Sequence, residues 1–387
     1  MKKAQNKTKT LLILLVLLIT SAVLCSCSGS KEKEDKVVKI GIVGSYKSIM
    51  EKSAEFLWGI DLAINDLERA YEKYGYTVET EFFDDQSVLD ETPKKATEAL
   101  NRDDIDVVFV YGAEGDLESA AKKLNKGSKV VFWMDEKGQN YRLLEEKNQF
   151  YPVYRLKAQA EAVMKTLSDE GVYSIAMVYK DEDYSAHIYN TMTIAAKKFG
   201  IQVIKTVDLK RQSSEEVIDS LLIAEPQAVA LLCNDGEKNA ELVGEVKKQI
   251  PDAYILSDYS IDSSKIIDDY GTSLDGTIIP CNVQTKWEEE RLKTVIERYE
   301  GIYNGKSQLG KVTHGYFSTM AVVDGIITCG TSDAKLLGEY FRSERSNIYK
   351  FDEFGDLIYD EIPVLQAKNG VFEIMDTVEF ELVEESE

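Results

Sequence analysis

Asp84-Asp85 places two carboxylates side by side after a predicted strand, and such a pair can divide acid and nucleophile duties in glycoside hydrolysis. Adjacent side chains at the end of a strand point to opposite faces, however, so turn and cap duty is the better account of this pair. Nucleophilic catalysis has little material to work with. His187 and His314 are the only two histidines, they lie far apart, and no GxSxG elbow, phosphate-loop lysine or metal motif occurs. Beyond the N-terminal segment the cysteines are Cys233, Cys281 and Cys329, an odd set without a CxxC pair, which reads as buried small apolar residues. No enzyme activity, metal or cofactor is expected. Gly41-x-x-Gly44 is an incomplete nucleotide fingerprint. The loop Gly44-Ser45-Tyr46 that follows it leads toward a helix, whose free backbone N–H groups suit an anionic or polar ligand group.

Charge excludes one class of partner. With 46 Lys+Arg against 68 Asp+Glu, the 387-residue chain carries −22, and such a surface repels phosphate backbones, so no nucleic acid is expected. Lys2, Lys3, Lys7 and Lys9 precede an apolar run from Leu11 to Ile19, too short for a membrane span and laid out as a secretory signal. Leu24-Cys25-Ser26-Cys27 resembles a bacterial lipoprotein processing site cleaved before Cys27, because Leu stands three residues before that cysteine and a small residue just before it. The resemblance implies a signal peptide over 1–26, a diacylglyceryl thioether on Cys27 and a polar tether over 27–36. An ordinary cleaved signal that leaves Cys27 free is the alternative. Cleavage there removes four lysines and leaves the exported chain at −26.

From Val37 the chain alternates short β-branched runs with longer segments of helical period, the βαβ rhythm of parallel sheets covered on both faces. Strands are expected at 37–43, 78–83, 107–111 and 130–134. The helix after the first places Phe56, Ile60, Ala63, Ile64 and Leu67 on one face, and Thr92-Pro93 reads as an N-cap with proline behind it. After Tyr154 the rhythm restarts, with strands at 175–179, 203–207, 228–233 and 254–256, and Lys197, Lys198 and Gly200 closing one of the helices. Two α/β domains follow from the length and this repeat of rhythm.

Lys39-Ile40-Gly41-Ile42-Val43-Gly44, the helix from Gly59 to Asn65 and Phe83-Asp84-Asp85-Gln86 resemble the start of a type 1 periplasmic binding protein of the leucine/isoleucine/valine-binding class. Arg155, Tyr179-Lys180-Asp181-Glu182-Asp183-Tyr184, and Tyr316 ahead of Val322-Val323-Asp324-Gly325 extend the likeness along the chain. The resemblance implies an α/β fold of two Rossmann-like lobes with parallel sheets, joined by three crossovers near Tyr154, Asn282 and Phe351. Residues 37–154 and 283–350 would form one lobe, and 155–282 with 351–384 the other. Ligand would be trapped between the carboxyl ends of the two sheets, where open α/β sheets bind.

The same resemblance selects the site residues. Ser45 and Tyr46 follow the first strand. Asp116 stands in the loop where amino-acid binders of this family carry a Ser or Thr for the ligand carboxylate, and Trp133 and Asp135 stand where another small hydroxyl residue is common. Tyr184 matches a tyrosine that packs on ligand, while Asp235, Asp258 and Tyr259 fill loops of the second lobe, where an acid would grip a ligand amine. Each has a plainer reading as well: Asp116, Asp235 and Asp258 as turn or helix caps, and Trp133 as strand core. Four acids in one cleft imply a ligand with a positive amine, faced by Tyr46, Trp133, Tyr184 and Tyr259. If the acids are caps, the cleft suits a neutral or zwitterionic solute. The expected role is an exported, lipid-anchored solute-binding protein that delivers a small polar, cationic or amino-acid-like ligand to an ABC permease. It would be held to the outer face of the cytoplasmic membrane, or in the periplasm, through its lipid alone. A ligand-sensing lipoprotein acting through a membrane partner is the second reading, and an extracellular hydrolase the third.

Overall fold

The structure is a computed structural model that describes residues 36–69, 75–88, 90–113, 117–135, 147–282, 289–303 and 310–380. The signal segment, Cys27, the tether and Asp116 lie outside the described residues.

Two sheets organise the chain. The first holds β1 (Lys36–Gly44), β2 (Tyr76–Asp84), β3 (Val107–Val110), β4 (Val130–Trp133) and the short β5 (Gln149–Phe150), in the order β2-β1-β3-β4-β5. All its pairings are parallel, with Ile42 opposite both Phe82 and Phe109. The runs Val-Val-Phe-Val and Val-Val-Phe-Trp of β3 and β4 are buried throughout, as a sheet covered on both faces requires. Its helices are α1 (Tyr46–Lys52), α2 (Ala54–Arg69), α3 (Thr92–Asn101) and α4 (Leu117–Asn125). Later in the chain, α10 (Glu289–Tyr303), α11 (Lys311–Cys329) and α12 (Ala334–Phe341) return to pack on this first body, α11 lying directly on α2.

The second sheet runs β12-β11-β10-β9-β8-β6-β7. Its parallel part is β6 (Ser174–Tyr179), β7 (Gln202–Asp208), β8 (Ala228–Leu232), β9 (Tyr254–Ser257) and β10 (Ile278–Pro280). The interleaved helices are α5 (Leu156–Asp169), α6 (Asp183–Lys198), α7 (Ser214–Ala224), α8 (Gly236–Gln249) and α9 (Ser264–Tyr270). To the expected parallel strands this sheet adds an antiparallel pair, β11 (Glu361–Lys368) and β12 (Val371–Glu379), so the second sheet is mixed. The cause is the two-residue turn Asn369-Gly370, both residues at positive φ (52° and 80°), which is the geometry a tight hairpin demands.

Three segments pass between the bodies side by side. Tyr154 N donates to Asn282 O at 3.0 Å, Tyr151 N donates to Gly355 O at 2.8 Å, and Arg155 Nη2 donates to Asp356 Oδ2 at 2.5 Å. One apolar core runs through them without a break, from Phe109 and Phe132 through Phe150, Tyr154 and Phe351 to Met177 and Ala230.

Candidate functional site

Loops at the carboxyl ends of β1, β2 and β3 are stitched together by short polar side chains. Ser45 caps α1: its Oγ accepts Ser48 N at 3.2 Å and the Ser87 hydroxyl at 2.8 Å, while its N–H donates to Gly112 O at 3.4 Å. The side chain is fully buried by these bonds. The close approach depends on glycine, since a Cβ on Gly44 would stand 2.0 Å from Tyr111 O. Asp84 Oδ1 accepts the N–H groups of Tyr46 (3.1 Å) and Gln86 (3.0 Å). Asp85, buried, accepts Ser87 N at 3.0 Å and the Thr92 hydroxyl at 2.7 Å. Both carboxylates thus serve turns. Thr92 is not the cap of α3; Glu91 holds that position, because the Thr92 hydroxyl is spent on Asp85.

Asp135 joins this loop set, its Oδ2 accepting Gly112 N at 3.3 Å. Beneath it, His314 Nε2 donates to Met134 O at 3.0 Å, and burial pulls the imidazole down to about 4 against a weaker lift from that carbonyl. Tyr46 projects outward, half exposed, with its ring edge-on to Phe82 at 5.3 Å. Trp133 is not a cleft wall: it is 1% exposed, lies in the sheet core with Val110 and Val131, and its Nε1 donates to Gln149 Oε1 at 2.6 Å. A strand-terminal indole with one buried acceptor satisfies its only donor inside the core.

The second body repeats the pattern. Asp235 caps α8, its Oδ1 accepting Lys238 N at 3.1 Å. Asp258 is buried and fully engaged: Oδ2 accepts Asn234 N at 2.8 Å and Asn239 Nδ2 at 3.1 Å, and Oδ1 accepts Ser260 N at 3.0 Å. Burial lifts its carboxyl above the usual range, and those bonds oppose the lift. Tyr259 follows in a one-turn 3-10 helix, half-buried, and Tyr184, in the first turn of α6, is half-buried against the core. A pocket of about 370 Å³, lined by Lys180, Gln212, Ser213, Cys233, Asp235 and Lys238, opens at the carboxyl ends of β6 to β8. A larger one of about 460 Å³ lies at the opposite strand ends, around Val172, Gln227 and Tyr254, away from every loop of this set. Cys233 in the smaller pocket is no nucleophile, since burial pushes its thiol far up.

The structure therefore brings Ser45 and Asp135 into one loop cluster and Asp235 and Asp258 into another, and it sets Tyr46 and Trp133 apart. Contacts across the cleft come from residues the sequence reading missed. Glu55, Lys311 and Tyr299 of the first body meet Asp262 and Ser264 of the second. No periodicity or motif marks these positions; the only local signals are a charged residue in the first turn of α2 and another opening α11.

Residues 37–339 match the family model described as periplasmic binding protein. The chain belongs to that family. Solved structures agree on the architecture, which is the type 1 periplasmic binding fold. A leucine binding protein from Thermotoga maritima is 18% identical, with a TM-score of 0.70 over 88% of this chain and 99% of that one. The branched-chain amino acid transporter substrate binding protein of Streptococcus pneumoniae, solved with isoleucine, is 13% identical, with a TM-score of 0.71 over 89% and 100%. An ABC transporter substrate-binding protein from Desulfitobacterium hafniense, solved with Leu, is 14% identical, with a TM-score of 0.70 over 88% and 100%. No curated protein sequence matches the chain. The family is one of exported solute binders rather than enzymes.

Proposed function

We propose that this periplasmic binding protein captures a zwitterionic, amino-acid-like solute between its two bodies, is held to the membrane by a lipid on Cys27, and hands its ligand to an ABC permease. The observation that carries the ligand class is the engagement of the cleft acids. Asp235 and Asp258 are occupied by backbone and amide N–H donors, and Asp135 by Gly112 N, so these carboxylates meet part of their bonding need inside the protein. A cleft whose acids are already hydrogen-bonded needs no organic cation to pair with them. Bound leucine and isoleucine in the structural relatives point to the same class.

Titration calorimetry on the soluble chain tests the reading, with isoleucine, leucine, choline and putrescine as probes. Isoleucine or leucine binds and raises the unfolding temperature, since a ligand of the folded state stabilises it by RT ln(1 + [L]/Kd). Tight binding of choline or putrescine with no response to either amino acid defeats the zwitterion reading. Mass spectrometry of the mature N-terminus reads the acyl group on Cys27, and loss of uptake on deletion separates delivery from sensing.

A further inference from the structure

The seam between the bodies is closed by side chains that stand outside the loop clusters at the strand ends. Glu55, near the start of α2, is 3% exposed; one carboxylate oxygen accepts Ser264 N at 2.9 Å across the seam, and the other is enclosed without a hydrogen-bond partner. Lys311, which opens α11, is 6% exposed; its ammonium donates to Lys52 O on its own side at 3.1 Å and to Asp262 O on the other. Tyr299 of α10, fully buried and stacked on Trp58 at 5.9 Å, shares a hydrogen bond of 2.9 Å with the Ser264 hydroxyl. Three side chains from three helices of the first body thus converge on residues 262–264 of the second.

The group mixes charges of both signs. Glu55 and Asp262 are buried carboxylates, and Lys311 is a buried ammonium. Burial lifts the Asp262 carboxyl to about 6, Lys311 opposes that lift, and Glu55 adds to it. Lys311 therefore holds the seam shut, whereas the negative charge of Glu55 works against closure even as its oxygen accepts a bond. Opening the seam returns all three groups to water, so closure is held in balance rather than locked.

We propose that Glu55, Lys311 and Tyr299 form a latch on residues 262–264 that sets the fraction of closed molecules before ligand arrives, and through it the affinity for ligand. These are positioning residues. The inference rests on the proposed closure of the cleft around a solute, and its decisive measurement needs no solute.

Small-angle scattering of the ligand-free protein reads the latch directly. Lys311→Met, which keeps the stem and removes the charge, gives a larger radius of gyration than wild type. Glu55→Gln, which keeps the acceptor for Ser264 N and removes the opposing charge, gives one equal to wild type or smaller. Tyr299→Phe, the mildest change, guards against a Lys311 variant that fails to fold and lies between wild type and Lys311→Met. Isoleucine titration then shows about tenfold weaker binding for Lys311→Met and tighter binding for Glu55→Gln, because apparent affinity scales with the closed fraction. A merely structural role moves both variants the same way. Identical ligand-free scattering for wild type, Tyr299→Phe and Glu55→Gln, or a wild type already as expanded as Lys311→Met, overturns the latch. Failure of isoleucine to bind, with scattering ordered as stated, overturns the ligand class and leaves the latch standing.

Discussion

At the scale of single residues, burial moves Asp262 and His314 in opposite directions, with consequences for stability against pH. Loss of water lifts the Asp262 carboxyl from an ordinary 3.8 to about 6, Lys311 opposing and Glu55 reinforcing. Between those values the folded chain keeps a proton that the unfolded chain has lost, so stability falls as pH rises, by on the order of 3 kcal/mol. His314 runs the other way: burial lowers it from 6.5 to about 4, the unfolded chain binds the extra proton, and stability rises with pH by a similar amount. The two slopes oppose each other from about pH 4 to pH 6. Asp262→Asn is therefore expected to make urea midpoints climb more steeply with pH than in wild type, and His314→Asn to make them fall more steeply. Midpoints at pH 4, 5, 6 and 7 check both, and parallel profiles for all three proteins contradict the assignment. Neither shift is legible in the sequence, because the perturbation comes from burial between elements far apart in the chain.

Helices, strands and turns show what a sequence does and does not carry. The apolar face predicted for α2 is observed, with Phe56, Ile60, Ala63 and Leu67 buried and Ile64 half-buried against the core, because a period of 3.6 is written in the residues themselves. The helix stop at Lys197, Lys198 and Gly200 is observed as well: Phe199 is the C-cap, and Gly200 follows at φ 73°. The β11–β12 hairpin was legible in Asn369-Gly370 and was not read there. What α2 packs against was not legible. Gly59 and Gly315 let α2 and α11 cross backbone to backbone, since a Cβ on Gly59 would stand 2.1 Å from Val312 O and one on Gly315 2.1 Å from Phe56 O. Gly315→Ala is expected to destabilise the protein by about 1–3 kcal/mol, as overpacking does. Gly244→Ala, on the exposed side of α8 with nothing within 4 Å, is expected to stabilise it by about 0.5–1 kcal/mol through helix propensity alone. Urea unfolding of the two variants should give shifts of opposite sign; a shared sign means that propensity rather than the helix crossing decides both.

Across the whole molecule, two sheets built by the same rhythm could unfold separately, and what couples them is the bundle of crossing segments together with the core that runs through it. Arg155 is the polar centre of that bundle. Its guanidinium reaches Asp356, 1% exposed, at 2.5 Å and Asp352 at 3.4 Å, tying the first crossing to the third. Removing one partner of such a pair leaves a buried charge unmatched, which costs about 3–5 kcal/mol when burial is complete; replacing both with apolar groups is close to neutral. Arg155 is itself about one-third exposed, so the lower end of that range is expected for Arg155→Met. Arg155→Met with Asp356→Leu should recover most of the loss. The tryptophans make the coupling visible. Trp58 and Trp133 sit in the first body, so with Trp287, which lies outside the described residues, replaced by Phe throughout the series, fluorescence follows the first body while far-UV circular dichroism follows both. In wild type the two signals are expected to trace one urea transition. In Arg155→Met they should separate, and in the double variant they should rejoin. Coincident signals and an unchanged midpoint in Arg155→Met would remove the pair from any coupling role and leave the joining of the bodies to the aromatic core of Phe132, Phe150, Phe341 and Phe351, the backbone bonds between the crossings and the contacts on residues 262–264.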